Sequence, residues 1–547
     1  MVGFSCFSAS ARMRWTISED CTGEPPGELI TSATAGPLIA KALSSALSTP
    51  ARERPGRSEV PCPMTPWRRT TGTTGFFERG QKRITPPSSI NGRRPGGPGG
   101  PIRRPADRIR GVGEGNAPAA RLRPDLAGMS EWGGDYPFAI GRGRPRGRIA
   151  RCVGKGRVMR IEINVSPAGE AAGAVSGQKL DPEPDFLAAY FTEGHDAHEV
   201  AKALGRLKPR ALHGGTSCRG VMSAAGMSAD GPALGTFAVY DRAGDYGTSL
   251  VAKGSDARAS ARRAIAEALS HAGRRGEMPD LVWLTSSPGD EEAIIHGIQD
   301  EVGPHVPIIG GSAADDTLAG RWRVISAAGA LTDGIVVSVL FPSRPLASVF
   351  HSGYAPTGER ARATATDGRR VLALDGRPAA DVYAEWTSNP ALAARGGVPC
   401  SILGEAALTP FGRSIGHVAD VPYYLLAHPT AVHPDGSIEL FATVAPGEEL
   451  VMMRGSLDSL AGRARRVARQ SLELARQREA PAGALVVYSG GCMMAVSHRM
   501  DEVAAGVSAA LGGAPFLGIF TFGEQGRVSD GSNRHGNLMI SCVSFGV

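Results

Sequence analysis

The sequence predicts an α/β protein made of two internally duplicated β-β-α-β-α-β-β units. These pack as a pseudo-symmetric body behind a disordered N-terminal tail. Three observations carry this reading. From about Ala211, apolar runs bounded by Gly or Pro alternate with stretches at helical spacing. The order of these elements recurs: Gly254 to Gly455 is 201 positions, and Leu281 to Leu485 and Phe341 to Phe545 are 204 each. The charge also divides sharply. Residues 1–158 hold 26 Lys+Arg and 12 Asp+Glu, a local +14, and the remaining 34 basic and 41 acidic residues give −7.

The first stretch, 1–158, strings Arg, Pro, Gly, Ser and Thr together, as in Asn91–Pro101 and Gly141–Gly147. Pro forbids helix interiors, Gly raises the ordering cost, and too few apolar residues recur to offset it. Such Arg/Gly clusters can bind nucleic-acid phosphates, but the mixture is also that of a leader translated from a start set too far upstream. Met159 is then the expected native start. The body is mildly acidic, so no nucleic-acid partner is expected of it.

In the first unit, 211–343, strands are expected at Gly235–Tyr240 and Gly247–Gly254, and Ser255 is expected to cap a helix carrying Ala261, Ala264, Ile265, Ala268 and Leu269. Strand Leu281–Thr285 follows, then a helix through Ile294, Ile295 and Ile298, with a capping Ser in Ser286–Glu292. Strand Val306–Gly310, then Trp322–Ser326 and Gly334–Phe341, complete it. A connecting segment, 344–435, offers one helix candidate, Pro378–Thr387. The second unit, 436–547, repeats the order. Strands Ser437–Thr443 and Glu449–Met453 precede a helix carrying Leu457, Leu460, Ala461, Ala464, Val467, Ala468 and Leu472. Strand Ala484–Tyr488, a helix through Met500, Val503 and Val507, and strands Pro515–Phe520 and Asn537–Phe545 end the chain.

Composition excludes several classes. No run of eighteen apolar residues spans a membrane, and Met1–Cys6 lacks a secretory pattern. Eight Cys in 547 residues, with no C-x-x-C pair, argue against a disulfide scaffold or a structural zinc site. A reducing, cytoplasmic setting is expected.

Polar turns after buried strands are where α/β proteins place ligands. Gly310, Gly311 and Ser312 supply backbone freedom and a hydroxyl, and Asp315 and Asp316 supply carboxylates. The corresponding turn of the second unit holds Gly523 and Glu524. Ser489, Gly491 and Cys492 follow a buried strand and open a helix, where a thiolate would be favoured. His498 and His535 are its candidate bases in a Cys492-dependent hydrolase or transferase. Other motifs fail on context: Gly412–Gly416 fits G-x-S-x-G without the strand-turn-helix, and His195–Glu199 lacks the H-E-x-x-H order.

Several of these segments carry a resemblance. Pro279–Leu284, Pro307–Asp315, Gly483–Cys492, Pro515–Glu524 and His535–Met539 resemble the FIST family, the first two its N-terminal domain and the rest its C-terminal domain. The resemblance covers about Ala211 to Val547, some 60% of the chain. It implies an intracellular signal-transduction sensor, of a bacterial kind, for a small ligand such as an amino acid. It also implies a separate partner such as a histidine kinase, a cyclic-di-GMP enzyme or a chemotaxis receptor, because the chain ends at Phe545–Val547 with no output domain. Gly523, Glu524, His535 and Asn537 match the family's positions, and ligand contact is expected there. Glu524 with Asp315 and Asp316 would hold an ammonium group. Some family members are haem-based gas sensors. Haem is a runner-up cofactor here, with His351, His417, His428 and Cys400 as axial ligands by type only.

Overall fold

The computed structural model describes residues 159–546, except 168, 178–179, 229–230, 394–395, 419–420 and 476–479. The expected disorder and Arg/Gly clusters of 1–158 lie outside the described residues. All described residues belong to one compact unit.

Three six-stranded sheets share one plan. The first runs Arg160–Ser166, Leu234–Tyr240, Phe186–Phe191, Leu212–Thr216, Val324–Ser326, Gly329–Leu331. The second runs Asp245–Ala252, Gly334–Phe341, Leu281–Ser286, Ile308–Ser312, Glu524–Arg527, Asn533–Gly536. The third runs Leu346–Ser352, Met539–Phe545, Gly483–Ser489, Phe516–Thr521, Val221–Ser223, Gly226–Ser228. In each sheet the third and fourth strands pair parallel and every other neighbour pairs antiparallel. The closing hairpins are exchanged in a ring. The first sheet's hairpin lies in the chain between strands of the second, the second's between strands of the third, and the third's between strands of the first.

This corrects the expected β-β-α-β-α-β-β order. Its leading strand pairs do not form: Leu234–Tyr240 lies in the first sheet and Asp245–Ala252 in the second, while Ile438–Leu440 and Glu449–Arg454 belong to a fourth sheet. The first sheet also uses strands before Ala211, where the apolar pattern is short.

Strand alternation distributes the core. Phe186, Ala188 and Tyr190, Leu281 and Trp283, and Leu485 and Val487 point from their three sheets into one shared cluster. The intervening residues face helices: Leu187 and Ala189 in one cluster, Val282 and Leu284 in a second, Val486 and Tyr488 in a third. Both faces are covered, so the strands read as continuous apolar runs.

The helices start where local chemistry permits. Helix Ala257–Ala272 is capped by Asp256, not Ser255: the Asp256 carboxylate accepts from the Ala259 N–H at 2.9 Å. Helix Leu457–Leu474 opens with a Ser456/Ser459 capping box and buries Leu460, Ala461, Ala464, Val467 and Ala468. Helix Glu291–Val302 follows Asp290 at φ 64° with no side-chain cap, so the expected capping Ser is not used.

Between the third sheet's edge strand and helix Leu457–Leu474 lies an insertion that holds most of the expected connecting segment and runs past its end, while the segment's start, Leu346–Ser352, is that edge strand. The insertion forms a nine-stranded sheet, including Ala355–Asp367, Arg370–Leu374, Phe411–Val418 and Val421–Ala427. Helix Ala379–Thr387 packs against it, at the position the sequence indicates.

Candidate functional site

The ends of the parallel strands in the second and third sheets meet side by side. Close approach needs glycine there. A Cβ on Gly310 would lie 1.8 Å from the Leu284 carbonyl oxygen, and one on Gly311 would lie 2.5 Å from Thr521 Cγ2. Backbone bonds stitch the two ends together: the Ser312 N–H donates to the Gly523 carbonyl at 2.8 Å, and the Phe522 N–H donates to that of Ser312 at 3.2 Å.

A buried polar cluster sits beneath. The Ser312 hydroxyl donates to Glu291 Oε1 at 2.8 Å, and the Gly289 N–H donates to the same oxygen at 2.9 Å. Arg369, on the turn after strand Ala355–Asp367, donates from Nη2 to Glu291 Oε2 at 2.6 Å and to Glu292 Oε2 at 3.3 Å. His535 Nδ1 lies 3.2 Å from Glu292 Oε1, and its Nε2 lies 3.5 Å from Asn537 Nδ2. Burial alone would push both carboxyls up. The Arg369 guanidinium and His535 beside them outweigh it and hold both below the ordinary carboxylate range. Glu291, Glu292 and His535 bring ligand-type atoms within 4.8 Å of one another, but Arg369 already supplies the positive charge a cation would bring.

Beside this cluster opens a cavity of about 170 Å³. Leu403, Gly404, Ala407, Leu408, His428 and Phe441 of the insertion form one wall, and Ser489, Gly491, Met494, Ala495, Thr521, Phe522 and Asn537 form another. Leu318 and Leu457 complete it. Glu524 is fully buried behind the second wall. It accepts from the Thr521 hydroxyl at 2.8 Å, from the Met539 N–H at 3.0 Å and from the Ser489 hydroxyl. Burial with no cation beside it pushes this carboxyl up to about 8, against the pull of those donors. His428 Nε2 lies 3.1 Å from the Leu403 carbonyl oxygen, and burial pulls this imidazole down to about 4.

Of the residues singled out in the sequence, Ser489, Gly491, Asn537 and His428 line the cavity. Glu524 stands one hydrogen bond behind it, and His535 stands behind Asn537. Ser312 joins the ionic cluster. Gly523 packs on His535: a Cβ there would lie 2.6 Å from its Nε2. Gly310 and Gly311 serve strand packing. Asp315 is turned away from the cavity's chemistry, with its oxygens accepting from the Thr317, Leu318 and Arg321 N–H groups of its own turn. Asp316 accepts from the Arg219 N–H at 2.6 Å. No ammonium site joins these two to Glu524.

Cys492 is buried at the start of the short helix Gly490–Ala495, and its Sγ contacts the Leu538 carbonyl oxygen and Tyr354 Oη, each at 3.6 Å. Burial pushes the thiol up, and His498 is exposed while His535 is engaged with Glu292. A thiolate nucleophile has no base at hand. The four residues named as haem ligands by type lie in unlike surroundings. His417 and Cys400 are exposed, His351 packs on Tyr423, and His428 reaches a cavity of only about 170 Å³.

Residues that sequence reasoning missed are the most informative. Arg369 comes from an exposed-looking turn with no motif around it. Glu291 was legible only as part of an acidic helix start, and Thr521 and Phe522 only as neighbours of Gly523 and Glu524 in their turn.

Among the described residues, no helix is long and apolar enough to cross a membrane. Family models match most of the body: the FIST N domain over residues 185–377 and the FIST C domain over residues 379–527. An uncharacterized protein of Methanocaldococcus jannaschii is 36% identical over 83 residues, 15% of this chain and 16% of that protein. The chain thus spans about one sixth of that relative's length. The crystal structure of a cyanuric acid hydrolase from A. caulinodans aligns at 9% identity with a TM-score of 0.28, covering 71% of this chain and 100% of that one. That likeness is too slight to carry an argument.

Proposed function

The chain belongs to the FIST family, whose domains are sensors in signal transduction, and from that premise we propose that it detects a small ligand held in the cavity at Ser489, Thr521 and Asn537. One observation carries the reading: the cavity wall is shared between the insertion and the strand ends of the body. A ligand that touches both favours one arrangement of the two over others, and that difference in affinity is the signal. Arg369 also ties the same two parts together. We place the protein in the cytoplasm, signalling to a separate partner of the histidine kinase, cyclic-di-GMP enzyme or chemotaxis receptor type. The shared strand order of the three sheets further suggests three copies of one unit, a repeat reaching beyond the two read from the sequence.

Hydrogen exchange on the full chain tests the proposal. Ligand should slow exchange on both walls, at Leu403–Leu408 and at Gly490–Ala495. Protection confined to one wall would sink it.

A further inference from the structure

Resting on that sensor reading, we propose that the cavity takes a small uncharged molecule of about one ring's size that carries a hydroxyl or similar neutral donor, and not a free amino acid. Its volume, about 170 Å³, sets the size. A buried apolar cavity of about 150 Å³ takes up benzene, so this one holds a ring with one small substituent.

The walls set the polarity. Leu403, Leu408, Phe441, Met494 and Phe522 are apolar, and no Lys, Arg, Asp or Glu lines the space. A zwitterion would surrender the hydration of two charges and find no counter-charge in exchange. The Glu524 carboxyl lies behind Ser489 and Thr521, and its burial keeps it largely protonated at neutral pH. The Arg369 guanidinium is engaged by Glu291 and Glu292.

The polar groups that do face the cavity set the donor. His428 is neutral, and its Nε2–H is directed at the Leu403 carbonyl, so Nδ1 keeps a lone pair. That atom lies toward Gly491, where a Cβ would come within 3.7 Å of it. The Ser489 and Thr521 hydroxyls are hydrogen-bonded to Glu524, and each keeps a lone pair for a ligand. His428 Nδ1 can only accept, so it calls for a ligand that donates, and the two hydroxyls can accept as well. Asn537 Nδ2, only 3.5 Å from His535 Nε2, is the donor available to the ligand's own oxygen.

Calorimetric titration of the full chain with benzyl alcohol, phenol, toluene, benzylamine, benzoate and phenylalanine tests the assignment. Benzyl alcohol or phenol should bind, and toluene, lacking the donor, should bind about tenfold more weakly. The three charged probes should bind at least about a hundredfold more weakly. Ala495→Phe, on a wall residue that is only half-buried, should fill the space and abolish binding while leaving the fold intact by circular dichroism. Phenylalanine or benzylamine binding as tightly as benzyl alcohol would overturn the assignment, as would alcohol binding that survives Ala495→Phe. Hydrogen exchange separates this from the sensor reading. Phenylalanine that binds and protects both walls overturns the ligand class alone, whereas alcohol that binds and protects neither wall overturns the sensor reading alone.

Discussion

Arg369 Nη2 lies 2.6 Å from Glu291 Oε2, and this contact joins a turn of the inserted sheet to the first turn of a helix in the body. Glu291 is buried, and Arg369 is mostly buried. Removing one partner of such a pair leaves the other charge without compensation, which costs far more than the pair contributes. Arg369→Ala should destabilise the protein by about 3–5 kcal/mol in urea titration. The effect should depend on acidity. Both glutamates are held below their unfolded values, so their contribution is complete above pH 4.5 and fades as the pH falls through the depressed range. Arg369→Ala should therefore show a shallower loss of stability in acid than the parent. An equal loss would place the guanidinium outside the pair's energetics.

Glu524 works in the opposite sense. Its carboxyl rises from 4.5 to about 8 on folding, so between those values the folded chain holds a proton that the unfolded chain releases. Stability then declines as the pH rises from 4.5 to about 8 and levels off beyond. Glu524→Gln keeps the shape and removes the titration. The variant should match the parent near pH 5 and exceed it by a few kcal/mol, on the order expected from such a shift, at pH 9. Thermal melts at the two pH values measure this, and a parallel pH dependence in both proteins would contradict it.

The elements of the body were readable because strands buried on both faces leave unbroken apolar runs, as at Leu281–Ser286 and Gly483–Ser489. Strand exchange was not. Nothing in Val324–Leu331 says that it completes the sheet of Leu212–Thr216 and not its own, because a hairpin's partner is set by tertiary packing. The same limit applies to the site. Ser489 was found because it stands in a polar turn after a strand and Asn537 only through the family resemblance, yet Asp315 stands in such a turn too and spends its oxygens on its own backbone. Arg369 lies 78 positions from Glu291, and no local pattern links them.

Gly310 separates crowding from conformational freedom. A Cβ there would meet the backbone oxygen of Leu284 at 1.8 Å, and that oxygen belongs to a paired central strand that cannot withdraw. Gly310→Ala should cost about 3 kcal/mol or more by overpacking. Gly205, at the end of helix Ala197–Gly205, has nothing within 4 Å of the same position. Gly205→Ala should change stability by less than about 1 kcal/mol, in the stabilising direction. Similar losses for the two variants in urea would refute the packing argument.

The cysteines provide the test of covalent chemistry. Cys218, Cys492 and Cys542 are buried and Cys400 is exposed. Burial pushes all three buried thiols up, Cys542 to about 11, so none of them carries appreciable thiolate at pH 7.5. An alkylating reagent applied to the native full chain, followed by peptide mass mapping, should modify Cys400 at least about a hundredfold faster than Cys492, and the three buried thiols only on unfolding. A catalytic Cys492 would behave otherwise: it would react in the native state, at a rate that rises through neutral pH with its base. Rapid modification of Cys492 would return the helix Gly490–Ala495 to the position of a nucleophile's seat. Its protection leaves that helix as one wall of a binding cavity, with the thiol turned to the Leu538 carbonyl and away from any substrate.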